Sequence, residues 1–190
     1  MELLKQRILT DGVVLPGGIL RVDSFLNHQM DIDLINEIGK EFKRLFGNEK
    51  VDKIFTIEAS GIGIACIVAQ YFKVPVVFAK KAKSKNLIGD VYSAEVKSFT
   101  KGNSNTIMVC KDYIKKGENI LVIDDFLAKG NALIGLTNIL KQAQANIVGC
   151  GICVEKAFQN GGETVRNMGI RVESLAKIKS MSDDSLVFED

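Results

Sequence analysis

The segment Asn119-Ile120-Leu121-Val122-Ile123-Asp124-Asp125-Phe126-Leu127-Ala128-Lys129-Gly130-Asn131-Ala132 constrains the fold of this chain more than any other. Residues 120–123 are apolar without alternation, the pattern of a central parallel strand covered on both faces. Asp124 and Asp125 fall at the expected end of that strand, where neither carboxylate has to be buried. The short side chains of Ala128, Gly130 and Ala132 then leave the backbone open at the start of a helix expected over 131–144. Unpaired N–H groups and the helix dipole make such a turn an anion cradle. Two carboxylates suited to sugar hydroxyls, beside amides suited to a phosphate, indicate a ribose-phosphate site. Taken alone, the pattern also fits an ordinary strand–turn–helix carrying a solvated acidic pair.

The rest of the chain continues the alternation. Strands are expected over 53–57, 74–79, 106–110 and 147–154, with a helix over 62–72. Upstream lie an amphipathic N-terminal helix carrying Leu3, Leu4, Ile8 and Leu9, a Pro16-Gly17-Gly18 turn and a polar connection over 23–30. A second helix starts near Asp31; its Leu34, Ile35, Ile38, Phe42 and Leu45 recur at spacings of three and four until Gly47-Asn48 stops it. Alternating β and α elements imply an α/β fold with a mostly parallel central sheet flanked by helices. Ligands in such sheets bind beyond the carboxyl ends of the strands. With no linker, repeat or low-complexity stretch, the 190 residues suit a single domain over 1–190.

Lys and Arg exceed Asp and Glu only by 25 to 23, so bulk charge predicts no nucleic-acid partner. No apolar run approaches the roughly 18 to 20 residues that span a bilayer, and residues 1–5 lack a signal-peptide layout. No membrane association is expected, and a soluble cytoplasmic protein is the default. Cys150 and Cys153 have a nominal metal spacing, but in a strand, side chains three apart point to opposite faces. The one histidine, His28, is far away in sequence, so no protein metal site is expected and His28 is read as structural or exposed. All four cysteines are read as reduced, mostly buried small hydrophobes.

A second anion loop, Glu58-Ala59-Ser60-Gly61-Ile62-Gly63, follows the strand over 53–57. Gly61 would let the backbone approach a ligand, and Ser60 would cap the helix or donate to a phosphate oxygen. The interval 80–105 holds Lys80, Lys81, Lys83, Lys85, Lys97, Lys101, Gly89 and Gly102, a long polar insertion of the kind that is either functional or a solvated loop.

The stretch from Ile120 to Ala132 resembles the signature of type I phosphoribosyltransferases: an apolar strand, two acids, two apolar residues, then a small residue, Thr, Gly, a variable residue and Thr. Lys129 and Ala132 stand here where that family usually has threonine; two hydroxyl donors are lost and a cation is gained, while a cradle built from N–H groups survives. The resemblance implies that Ala128, Lys129, Gly130, Asn131 and Ala132 bind the phosphate of phosphoribosyl pyrophosphate, and that Asp124 and Asp125 hold its ribose. It implies that the loop around Ser60 receives pyrophosphate, with Lys81 supplied across a homodimer interface. Mg²⁺ would bind mainly through the pyrophosphate and waters, consistent with its reluctance to dehydrate. A hood built from about residues 1–30 and the C-terminal part, and a flexible hairpin over about 80–105, would close over the reaction centre.

A narrower resemblance covers nearly the whole chain. The stretch from Val13 to Gln29 and the later Val154-Glu155-Lys156-Ala157-Phe158-Gln159 are similar to the bacterial, xanthine-using branch of this family. That branch assigns Leu20, Asn27 and Lys156 to the purine. Xanthine carries carbonyl oxygens at positions 2 and 6, which an Asn27 amide and a Lys156 ammonium can satisfy, whereas adenine would need an acceptor at its 6-amino group. Phe158 would stack on the ring. The expected reaction is transfer of 5-phosphoribosyl to N9 of xanthine in purine salvage. Guanine and hypoxanthine share the 6-oxo group and are the competing substrates. A phosphoribosyl-pyrophosphate-sensing regulator without catalysis is the competing non-enzyme reading; no DNA-recognition helix of the expected kind precedes the second helix.

Overall fold

The structure is a computed structural model describing residues 1–81, 89–97, 104–182 and 185–189. Of the expected basic loop, Lys83, Lys85, Lys101 and Gly102 lie outside the described residues, as does the side chain of Lys97. The chain begins with α1 (Glu2–Asp11) and a short antiparallel hairpin, β1 (Val13–Leu15) and β2 (Ile19–Arg21), turning at Gly17 and Gly18. A π-helical turn, Asp23–Asn27, leads to α2 (Ile32–Phe46). The α/β body follows as β3 (Lys53–Ile57), α3 (Ser60–Phe72), β4 (Val76–Ala79), β5 (Val91–Lys97), β6 (Ser104–Cys110), β7 (Asn119–Leu127), α4 (Asn131–Gln142), β8 (Asn146–Lys156), α5 (Gly161–Asn167), β9 (Val172–Met181) and β10 (Leu186–Phe188).

Six strands form one sheet in the order β10-β9-β8-β7-β3-β4. All adjacent pairs are parallel except β10 with β9. The sheet is therefore mostly parallel and helix-flanked, as the alternation predicts. Its two faces carry separate cores: one packs Leu34, Ile35, Ile38 and Phe42 of α2 with Ile64 and Val68 of α3, the other packs Leu133, Leu136, Ile139 and Leu140 of α4 with Val165 of α5. Cys153 belongs to the first core and Cys150 to the second, so the pair does point to opposite faces. Cys66, however, is exposed on α3.

Helix α2 forms where the periodicity places it. The Asp31 carboxylate accepts from the Leu34 N–H at 3.1 Å and caps the first turn, while Lys43 and Arg44 complement the last. Each of its buried apolar side chains contributes about 1.5–3 kcal/mol, so Phe42→Ala is the kind of truncation that costs about 3–5 kcal/mol.

Three expectations are corrected. Residues 23–30 are no mere polar connection: Phe25 and Leu26 are fully buried, and the Arg7 guanidinium lies 5.3 Å from the Phe25 ring centre. Those two apolar side chains anchor the π turn and leave Asn27 at its end. The strand expected over 106–110 is not part of the central sheet. As β6 it pairs antiparallel with β5, and this hairpin joins the sheet edge through a bridge between Lys80 and Met108. It lies over α4, where Gly135 leaves room for Val96 and Ile107. Finally, β7 runs four residues past Ile123, because pairing with β8 continues as far as Leu127 opposite Glu155.

Candidate functional site

Because β7 extends to Leu127, Asp124 and Asp125 sit inside the strand rather than at its end and are only 4% and 8% exposed, which excludes a solvated acidic pair. The backbone meets part of their hydrogen-bonding need: Asp125 N–H donates to Asp124 Oδ1 and Phe126 N–H to Asp125 Oδ1, both at 3.0 Å. Burial, and then the neighbouring Asp125 charge, push the Asp124 carboxyl well above the usual carboxylate range, which Lys81 opposes in part. Two adjacent buried acids of which one favours its proton are a site held ready for a partner with positive charge or hydroxyl donors.

The chain leaves the sheet at Ala128 and enters α4 through Gly130. Gly130 has φ +83°, a left-handed conformation that an L side chain resists. Its N-cap residue, Gly130, has no side chain, and the first turn of α4 borders the space beyond the strand ends. That space is a cavity of about 300 Å³ whose wall includes Asp124, Asp125 and all five residues from Ala128 to Ala132.

Glu58, Ser60 and Lys81 line the same cavity. Glu58 Oε1 accepts from the Lys81 N–H at 2.5 Å, which ties the end of β4 to the turn after β3; the Glu58–Ala59 peptide in that turn is cis. Ser60 opens α3 without capping it. Gly61 is needed for packing as well. A Cβ there would fall 2.2 Å from Thr56 Oγ1 and 3.1 Å from Asp124 Oδ1, so glycine lets α3 approach the strand ends. Val96, Asn105 and Ile107 of β5 and β6 close the cavity from the side; Val96 and Asn105 fall within the interval 80–105 that the resemblance sets over the reaction centre.

Asn27 and Lys156 lie beside this cavity with their donors partly engaged. Asn27 Nδ2 donates to Asp125 Oδ2 at 2.9 Å, joining residues 98 apart in sequence. Lys156 Nζ donates to the Gly18 carbonyl at 2.9 Å and stands 5.8 Å from the Phe126 ring centre. Burial pulls the Lys156 ammonium below its ordinary value. Leu20, 6% exposed, packs in the first core, and Phe158 is partly exposed on the turn after β8. His28 closes the π turn and is not among the cavity residues. The π turn and the β1–β2 turn thus meet the carboxyl ends of β7 and β8 through hydrogen bonds that no local pattern announces.

The family model described as "Phosphoribosyl transferase domain" matches residues 21–166. Xanthine phosphoribosyltransferase of Lachnoclostridium phytofermentans is 58% identical over 190 residues, covering 99% of this chain and 98% of that protein. The enzyme of the same name from Ruminiclostridium cellulolyticum is also 58% identical, with both chains covered fully. Among solved structures, the adenine phosphoribosyltransferase of Giardia lamblia, complexed with 9-deazaadenine, superposes with a TM-score of 0.78 at 21% identity, over 92% of this chain and 97% of that one. The Saccharomyces cerevisiae enzyme gives 0.75 at 22% identity, over 92% and 99%. These structural matches speak to the fold. By sequence and by architecture, the chain belongs to the phosphoribosyltransferase family and has the type I phosphoribosyltransferase fold.

Proposed function

We propose that this chain transfers 5-phosphoribosyl from phosphoribosyl pyrophosphate to N9 of xanthine, giving xanthosine 5′-monophosphate and pyrophosphate. The observation that carries the reading is the meeting, in one cavity, of the Asp124–Asp125 pair, the N-terminus of α4, and Ser60 with Lys81. Relatives named xanthine phosphoribosyltransferase, 58% identical along the full chain, supply the purine.

In the reaction, the C1′–O bond to pyrophosphate breaks with its electron pair on the departing oxygen, the N9–C1′ bond forms, and the purine releases its proton. Positive charge builds on the sugar in between. Asp124 and Asp125 accept from the ribose hydroxyls and stabilise that charge. The amides of 128–132 hold the 5-phosphate, and Ser60 and Lys81 receive the leaving group. Lys156 donates toward the 6-oxo group. Asn27 offers a second amide hydrogen, beyond the one given to Asp125, toward position 2. Leu20 and Phe158 bound the ring.

The donor set suits Mg²⁺ held mainly by the substrate. Among the described residues no three acidic, histidine or cysteine side chains gather into a cage, while Asp124 and Asp125 are placed to meet its waters or the hydroxyls it binds. When bound, Mg²⁺ would offset the charge of the departing pyrophosphate. None of the cavity's side chains is a histidine, so the purine proton has no imidazole acceptor there. The same reading takes about residues 1–30 and the C-terminal part as a hood, and the chain as a cytoplasmic homodimer of purine salvage. No helix among the described residues is long and apolar enough to cross a membrane.

Turnover with Mg²⁺ and phosphoribosyl pyrophosphate on xanthine, guanine, hypoxanthine and adenine tests the proposal. Preference for xanthine is expected. Preference for guanine or hypoxanthine would reject the purine assignment, and binding of the sugar donor without turnover of any base would favour a regulator.

A further inference from the structure

The phosphate loop is not free-standing. Behind it lies the first turn of α5, which approaches by backbone alone. A Cβ on Gly161 would fall 2.1 Å from the Ala128 carbonyl oxygen and 2.5 Å from both the Gly130 nitrogen and the Lys129 carbonyl carbon. In the other direction, a Cβ on Gly130 would fall 3.0 Å from the Gly161 carbonyl oxygen. Two main chains therefore rest against each other at a place where neither tolerates a methyl group.

The next residue shows what holds α5 there. A Cβ on Gly162 would fall 1.8 Å from Glu155 Oε1 and 2.5 Å from Arg166 Nη1, so this backbone lies directly on a buried ion pair. Glu155, 2% exposed, accepts from Arg166 Nη1 and Nη2, both at 2.8 Å, and from the Ser174 hydroxyl. Arg166 also donates to the Val172 carbonyl at 3.3 Å. Burial alone would push the Glu155 carboxyl up, but Arg166 and Ser174 outweigh it and hold the group below its ordinary value. Glu155 stands opposite Leu127 in the β7–β8 register, at the residue from which the phosphate loop departs. The pair thus fixes α5 to β8 and β9 under the loop.

We infer that Gly161, seated on the Glu155–Arg166 pair, is a positioning residue for the phosphate-binding loop, setting the direction of the 128–130 backbone and hence the grip on the 5-phosphate. The inference rests on the reading of that loop as the 5-phosphate site. Gly161 touches no substrate; it acts through the main chain of Ala128 to Gly130.

Calorimetry with ribose 5-phosphate reads the loop without requiring turnover, and steady-state kinetics separates the two substrates. Gly161→Ala is expected to weaken ribose 5-phosphate binding and raise KM for phosphoribosyl pyrophosphate by about tenfold, leaving KM for xanthine within about twofold. Ile35→Val, a truncation in the core on the opposite sheet face, should lower thermal stability and change neither constant. Should Gly161→Ala fail to fold, Arg166→Lys keeps the charge but loses the two-pronged contact, and is expected to raise the same KM by about threefold. Unchanged ribose 5-phosphate affinity in the folded variants overturns the inference. So does a parallel rise in both substrates' KM that tracks lost stability. A wild-type chain that binds ribose 5-phosphate without turning over any purine rejects the proposed activity, while the variants' affinities still decide the positioning role. A wild-type chain that binds no ribose 5-phosphate rejects both.

Discussion

Replacing Asp124 by asparagine should make the protein more stable and nearly inactive. Asp124 is buried, and burial together with the Asp125 charge raises its carboxyl well above the ordinary value of 3.8. The protonated acid donates to Asp125, and the amide introduced by Asp124→Asn would donate in the same way while its oxygen still accepts from the Asp125 N–H. The substitution therefore removes a repelled, desolvated charge and keeps the shape. Relief of that kind is worth about 1 kcal/mol, or about 2–4 °C in Tm for a chain of this size.

The sign of the pH dependence follows. A folded-state pKa above the unfolded one means that the wild type is favoured below pH 3.8 and loses that advantage as pH rises through the raised pKa. The Tm gain of Asp124→Asn should then be absent below pH 3.8, grow as pH rises toward the raised pKa, and level off above it. Differential scanning calorimetry across that range reads it, and steady-state kinetics should show kcat lower by about 10²–10³-fold. A Tm at neutral pH that falls would mean that the carboxylate is well compensated in the fold, and the argument from burial would be wrong. An unchanged kcat would remove Asp124 from the chemistry.

Other consequences can be measured singly. Lys156 must stay protonated to donate, and burial lowers its pKa from 10.5; the alkaline fall of kcat/KM for xanthine should therefore move up in Lys156→Arg, and an unmoved limb would exclude Lys156 as its origin. Asn27→Asp would set a carboxylate where the amide now donates to Asp125 at 2.9 Å, so kcat/KM should fall on the order of 10²-fold for xanthine and also for guanine. Guanine turnover left intact would show that the contact with Asp125 is dispensable. Native protein should react faster with a thiol reagent at Cys66 than at Cys150 or Cys153, since burial pushes the Cys150 thiol up to about 12 and raises the Cys153 thiol well above its ordinary value; fast labelling of Cys150 or Cys153 would contradict the packing of the two cores.

What sequence reveals here is what is local. Helix α2 announces itself through an apolar stripe and an aspartate cap, and β7 through an unbroken apolar run followed by small residues. The glycine at the left-handed entry to α4 is visible for the same reason. The burial of Asp124 and Asp125 is not, because it depends on β8 pairing beyond Ile123 and on an amide 98 residues away. Strand β9 hides because Glu173, Lys177 and Lys179 interrupt its apolar positions, although it lies inside the sheet between β10 and β8. The support of the phosphate loop by Gly161 is hidden too: a Gly-Gly pair reads as a turn until the backbone of a distant loop is found against it. Leu20 looks like a core residue by pattern, and packs as one, so only the resemblance connects it with a purine.

The most direct test is a crystal structure of the protein with xanthosine 5′-monophosphate. The account predicts phosphate oxygens accepting from the amides of 128–132, ribose hydroxyls against Asp124 and Asp125, and the two exocyclic oxygens facing Asn27 and Lys156. A nucleotide bound with its purine away from Lys156, or with its phosphate outside the turn before α4, would contradict it.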